Sequence, residues 1–323
     1  MTRELPEGVK QTSGGRFDPA DRYVYFLATN PSTLALLAEP PEPRLAEYTL
    51  CAVNELDGAA QRRAFEELLR SGSRVLLDSG IFNLANTHAK RHGLTHDIAL
   101  SMAPDEIDGF DHLYDLYCSL VTEYRDDLWG VIELDQGGAA NKRITRARIE
   151  SDIPGFVPMP VYHPANDGWD YFDELASQYD RLCCGNVVQA AVPDRERLAM
   201  TFYERAGRYP YLWVHLLGYT PTGLTNAMPP QGSCDSSTWL SGSRWGGTSV
   251  KTRGMLHPSS AWSGDVRFAY APGADREGDR GTSSGYRFEA YLSRMTQRSW
   301  RAILEEREAA GLRLPVEQQE VWW

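Results

Sequence analysis

The sequence predicts an α/β protein built on a (β/α)8 TIM-type barrel, and three observations carry that expectation. Short apolar runs rich in β-branched and aromatic residues alternate with segments of helical spacing, a pattern that implies parallel strands joined by right-handed crossovers. Eight such runs can be counted, near residues 22, 74, 128, 156, 181, 211, 232 and 246, and eight favours a closed barrel over an open sheet. Aspartates, a histidine and glycines stand at the C-terminal ends of these runs, where the loops of a parallel fold gather its chemistry.

Taken in order, residues 22–28 (RYVYFLA) form the first strand, which ends at the turn cluster Thr29, Asn30 and Pro31. Residues 38–44 (AEPPEPR) are a proline-rich connector that suits neither helix nor central strand. Residues 59–69 set Ala60, Phe65, Leu68 and Leu69 at helical spacing, with Gly72 placed as a C-terminal cap. The second strand is 74–80. A long helix over 109–124 puts Phe110, Leu113, Tyr114, Tyr117 and Leu120 on one face, and a buried strand, 128–135, follows.

Helices are expected over 139–151, 169–179 and 193–206, and strands over 156–163, 181–187 and 211–217. Pro158 and Pro160 make the 156–163 strand irregular, since proline cannot donate within a sheet. Gly218 ends the 211–217 run at a tight turn, and Thr220-Pro221 reads as an N-cap with proline at the first helical position. A short strand at 232–236 brings Asp235 to a strand end, and 246–251 supplies the last strand. Residues 259–285 read as a long loop and 286–311 as a C-terminal helix. There is no internal repeat. The expected organisation is one catalytic domain over 1–323, its barrel core at about 20–255 and a loop-and-helix extension at 256–323.

Hydrophobic residues make up 42% of the 323 and charged residues 24%, a balance that buries a sizeable core and excludes compositional disorder. The N-terminus lacks the apolar stretch of a signal peptide and no run reaches the length of a membrane helix, so a cytoplasmic protein without membrane contact is expected. Five cysteines without framework spacing, two of them adjacent at 183 and 184, read as buried thiols. No C-x-x-C signature is present, and neither metal nor cofactor is expected.

A net charge of −11 argues against broad nonspecific binding to nucleic acid. The charge is unevenly spread. Residues 105–127 hold eight acids against one arginine, whereas residues 244–301 hold ten Lys/Arg against five acids. Arg244, Lys251 and Arg253 in that basic third are candidates for holding a nucleic-acid backbone.

If the barrel forms, its strand ends deliver Asp78, Ser79 and Gly80, Asp135, His163, Gly185 and Asn186, Gly218 and Asp235 to one mouth. Several carboxylates in one pocket suit attack at an anomeric carbon, since one must attack in ionised form while another transfers a proton. Glycines let a flat ligand approach backbone hydrogen-bonding groups. The plainer reading of Asp235 is a cap on the turn at Ser236 and Ser237.

These motifs, VLLDSG at 75–80, LDQ at 134–136, CCGNVV at 183–188, HLLGYTPTGL at 215–224 and SCDSS at 233–237, resemble in order and spacing the queuine tRNA-guanine transglycosylase superfamily. The resemblance spans about residues 74–240, and LLGYTPTGL with an Asp eleven residues on is its most specific part. It implies a base exchange in which Asp235 is the nucleophile at C1′ and Asp78 the general acid/base. It also implies that Asp135 reads the edge of the base, that Gly185 and Gly218 lend backbone to the base pocket, and that Ser79 lies beside Asp78.

The departures narrow the resemblance. The C-x-C-x-x-C zinc site of the tRNA enzymes is missing, and their base-reading glutamine has no match in FVPMPVYH, where His163 or Tyr162 would take over. Ile81 replaces the second glycine of the DSGGF-type motif. A chain without the zinc site looks more like the DNA-guanine transglycosylase branch of phages and bacteria, which inserts a 7-deazaguanine such as preQ0 into DNA. Reaching a guanine in duplex DNA requires unstacking it. The alternatives are a zinc-less enzyme acting on tRNA, a noncatalytic subunit binding nucleic acid or a partner, and a hydrolase using the same carboxylates with water as acceptor.

Overall fold

The computed structural model describes residues 4–35, 37, 46–219, 229–237, 305 and 309. Eight strands are described: β1 Val24–Ala28, β2 Tyr48–Ala52, β3 Arg74–Asp78, β4 Gly130–Val131, β5 Val161–Tyr162, β6 Arg181–Cys184, β7 Trp213–Leu216 and β8 Gly232–Ser236. All pair in parallel, in the order β4-β3-β2-β1-β8-β7-β6-β5. That is chain order read around a circle, so the sheet curls in the manner of a TIM barrel. Its last seam, between β4 and β5, is not closed by a ladder; the single parallel bridge Ile132↔Met159 spans it. The two prolines explain this, because Pro158 and Pro160 leave Met159 as the only residue of the three with an N–H to donate.

The sequence reading placed seven of these strands. It missed β2, and its eighth, 246–251, falls outside the described residues, so the count of eight was reached with a different member. The connector 38–44, the helix expected after Thr220 and the loop 259–285 are also outside, as is the C-terminal helix apart from Glu305 and Ala309, both helical.

Eight α-helices are bounded among the described residues: α1 Pro31–Ala35, α2 Ala59–Arg70, α3 Ile81–His92, α4 His96–Ser101, α5 Phe110–Tyr124, α6 Ala139–Asp152, α7 Trp169–Gln178 and α8 Val192–Ala206. In α5 the residues Phe110, Leu113, Tyr114, Tyr117, Leu120, Val121 and Tyr124 are buried, a stripe at three- and four-residue steps that seats the helix on the sheet. The acids of 105–127 are all exposed, on the opposite side of that stripe or in the flanking turns.

Strand residues alternate between two cores. Tyr25 and Leu27, Val75 and Leu77, Leu182 and Cys184, and Val214 and Leu216 join the layer under the helices. Their neighbours Val24 and Phe26, Tyr48 and Leu50, Leu76, Val161, Cys183 and Trp213 fill the interior of the curl. This period of two continues inward through Asp78, His163, Gly185, His215, Ser233 and Asp235. Side chains of opposite chemistry therefore reach the interior by the same strands that build it.

The end opposite the site is plugged. Arg181, fully buried at the start of β6, donates to the carbonyls of Thr12, Ser13 and Trp129, and Phe17 packs edge-on to Trp129 and Trp213. Chemistry is thereby confined to the C-terminal ends of the strands. None of the described helices is long and apolar enough to cross a membrane. The five cysteines are free thiols, four of them buried.

Candidate active site

Three aspartates converge at the C-terminal mouth. Asp78 is the last residue of β3, Asp235 the penultimate residue of β8, and Asp135 lies just beyond β4. Two are fixed by histidines from neighbouring strands. His163, directly after β5, sets Nε2 2.8 Å from Asp135 Oδ2, while Ser79 Oγ donates to Asp135 Oδ1 at 3.2 Å. His215 of β7 sets Nε2 3.1 Å from Asp235 Oδ1, and the Gly218 N–H donates to the same oxygen at 2.8 Å. Asp235 Oδ2 has no hydrogen bond among the described residues, so one oxygen is anchored and the other is available.

The carboxyls differ in proton affinity. Burial raises the Asp78 carboxyl to about 7, helped by the negative charges of Asp135 and Asp235. Burial also pushes Asp135 up, but the hydrogen bond and charge of His163, with Lys142 behind it, overcome this and hold Asp135 below its ordinary value. Crowded carboxyls therefore separate into one that keeps a proton near neutrality and one that does not, the division of labour that acid/base chemistry needs.

Gly185 is where the His163 ring fits. A Cβ there would stand 2.8 Å from His163 Cδ2 and 2.9 Å from Nε2. Its own N–H donates to the Tyr162 carbonyl at 2.9 Å. Asn186 turns the chain in the left-handed region, φ 62°. Gly218, at φ +65°, gives its N–H to Asp235, so that N–H supports the carboxylate rather than a base. The cap reading of Asp235 is corrected in the same way: the turn it accepts from is that of β7, not its own. Ser79, next to Asp78 in the chain, gives its hydroxyl to Asp135. Arg244, Lys251 and Arg253 lie outside the described residues.

Several contributors were not read from the sequence. Trp213 Nε1 donates to Ser233 Oγ at 2.9 Å, and Ser233 Oγ lies 2.8 Å from His215 Nδ1. With His215 Nε2–H turned to the carboxylate, Nδ1 accepts the Ser233 hydroxyl, and the chain Trp213, Ser233, His215, Asp235 donates in one direction. Behind His163, the fully buried Lys142 ammonium bonds Asp167 Oδ2 at 2.5 Å, and that oxygen accepts the His163 backbone N–H at 2.8 Å. Period-two counting along β7 from Trp213 would have found His215, and along β8 back from Asp235 would have found Ser233; Lys142 and Asp167 leave no such signal. Beside the mouth, at the ends of β1 and β2, Asn30, Ser32, Asn54, Glu55, Gly58 and Gln61 line a cleft, and Asn54 Oδ1 would meet a Cβ on Gly80 at 2.5 Å.

Among the described residues one group has metal-ligand spacing, His88, His92 and Asp108. Its atoms are already engaged: the Asp108 N–H donates to His88 Nδ1, and Asp108 Oδ2 pairs with His92 and Arg91 at 2.8 and 3.0 Å. An ion-pair cluster accounts for it.

Fold and site together define a parallel α/β protein with three aspartates and two histidines gathered at the C-terminal side of its strands. No family model matches the chain, and no curated protein matches it either.

Proposed function

We propose that the protein is a guanine transglycosylase, a pentosyltransferase working at the mouth of its curled, TIM-like parallel sheet. The observation that supports it best is the separation of Asp78, raised to about 7, from Asp135, held low, beside an Asp235 whose Oδ2 has no hydrogen bond among the described residues. In the first half-reaction Asp235 Oδ2 attacks C1′ of a guanosine nucleotide. The C1′–N9 bond breaks, and guanine leaves with the proton supplied by Asp78. In the second, a 7-deazaguanine such as preQ0 returns a proton to Asp78, its nitrogen attacks C1′, and the Asp235 ester bond breaks. Asp135, oriented by His163 and Ser79, accepts from the N–H edge of the base.

DNA is the proposed polymer, since the chain lacks the cysteine-rich zinc motif of the tRNA enzymes. Purified protein is to be incubated with 7-cyano-7-deazaguanine and either duplex DNA or tRNA, followed by nucleoside mass analysis, with Asp235→Ala as control. A modified deoxyguanosine lost in the variant supports the reading. Modification of tRNA alone moves the assignment to tRNA. Guanine release without any acceptor base indicates a hydrolase, and no product with either polymer leaves a binding protein.

A further inference from the structure

Helix α4 lies outside the alternating strand-helix pattern and is fastened to the mouth by the residue next to Asp135. Gln136, fully buried, donates Nε2 to the carbonyls of Ala99, Leu100 and Met102 at 2.8, 3.1 and 2.9 Å, and the Gly137 N–H adds a bond to Leu100 O at 2.9 Å. Carbonyls at a helix C-terminus have no partner within the helix, and here one amide answers two of them together with that of the C-cap Met102. Thr95 caps the other end by accepting the Ile98 N–H.

That clamp carries His96 to the Asp135 side of the mouth. Its ring lies near enough to Asp135 and His163 for their charges to act on it, as does that of Asp97, and burial lowers its proton affinity. The ring packs on Phe82 at 4.7 Å between centroids. Both ring nitrogens are sealed from solvent, and neither has a hydrogen-bond partner among the described residues. Native proteins seldom leave a buried donor and acceptor unanswered, and a group left so beside a reactive site points to a missing ligand. A neutral imidazole offers one donor and one acceptor, which matches the edge of an uncharged nitrogen heterocycle.

We propose that His96 is a substrate-contacting residue of the mouth, hydrogen-bonding a planar nitrogen heterocycle held between it and Asp135. This rests on the base-exchange reading and adds a specificity-determining contact to it.

The test is calorimetric binding of free guanine and of 7-cyano-7-deazaguanine to the full chain, wild type against His96→Phe and Asp135→Asn. Phenylalanine keeps the packing on Phe82 and removes both nitrogens. His96→Phe is expected to bind at least one of the bases about tenfold more weakly and to unfold at the same or a higher temperature, since it removes unpaired polar atoms. Wild-type binding with unchanged affinity in His96→Phe overturns the role of His96 while leaving base exchange intact. A lowered unfolding temperature with unchanged affinity marks a packing role and overturns it equally. Failure of the folded wild type to bind either base overturns both readings.

Discussion

His163 and Asp135, 28 residues apart in the chain, meet with Nε2 2.8 Å from Oδ2, and the space for that imidazole exists because residue 185 has no side chain. Gly185→Ala places a methyl 2.8 Å from the ring and pushes it off Asp135. The Asp135 carboxyl then loses its main stabilising partner and rises toward or above its ordinary value. Base-exchange activity is expected to fall about 10²-fold with far-ultraviolet dichroism unchanged, and the acid limb of the pH profile is expected to move upward. An unmoved limb would dissociate His163 from Asp135.

Asp78 sets the pH response. Its folded value is about 7 against an ordinary 3.8, so the folded protein holds more protons than the unfolded chain between those values. The contribution of this group to stability is therefore greatest below the unfolded value and is lost as pH rises through about 7. Asp78→Asn removes the penalty. It is expected to be more stable than wild type at pH ~8, by on the order of 1–4 kcal/mol, with the difference shrinking toward pH ~5. The same variant is expected to be inactive, and wild-type guanine release is expected to decline above pH ~7 as the acid is lost. Thermal unfolding across pH checks the first expectation and single-turnover kinetics the second.

His215 acts on Asp235 from the barrel interior. His215→Phe keeps a ring in the space beside Phe26, whose centroid is 5.7 Å away. It removes the imidazole donor to Asp235, which keeps the Gly218 N–H, and it removes the imidazole acceptor of the Ser233 hydroxyl, which keeps the Trp213 N–H. On the base-exchange reading, formation of the covalent glycosyl-enzyme is expected to slow about 10²-fold, with base binding little changed, because the histidine contacts the proposed nucleophile and not the proposed base-reading Asp135. An equal loss in both steps would show a collapsed mouth instead.

Lys142 and Asp167 form a pair with no exposed surface on the ammonium. Lys142→Met leaves the Asp167 carboxylate buried without its counter-charge, a change that typically costs roughly 3–5 kcal/mol. Asp167→Asn added to it removes the charge and keeps an oxygen for the His163 N–H. The double variant is expected to recover more than half the loss in urea unfolding. Non-recovery would mean that the ammonium stabilises mainly through its 3.0 Å bond to the Val161 carbonyl.

The regular parts of the fold were legible where one face of an element is strongly apolar. The helices over 110–124, 139–152 and 169–178 fall within two residues of their expected bounds. Three residues separate β2 from the proline-rich connector, and the run YTLCA carries no polar residue or turn signal at its C-terminal end to mark it off from Val53. α3 was missed because its buried positions are Ile81, Ala85, His88 and Ala89, a narrow stripe of mostly small or polar residues that gives little periodic signal. Asp78, Asp135, His163 and Asp235 were identified because each closes an apolar run, and run ends are visible in one dimension.

By itself the sequence determined the alternation of strand and helix and the set of residues at strand ends, because burial leaves a local imprint with a period of 2 or 3.6 residues. Only the tertiary structure decided how those residues are wired. The pairing of His163 with Asp135 and of His215 with Asp235, the turn of the Gly218 N–H toward a carboxylate, the clamp of Gln136 on α4 and the burial of Lys142 against Asp167 all join residues far apart in the chain. Contacts of that kind depend on strand register and side-chain direction, and neither is written in the local pattern that a sequence displays.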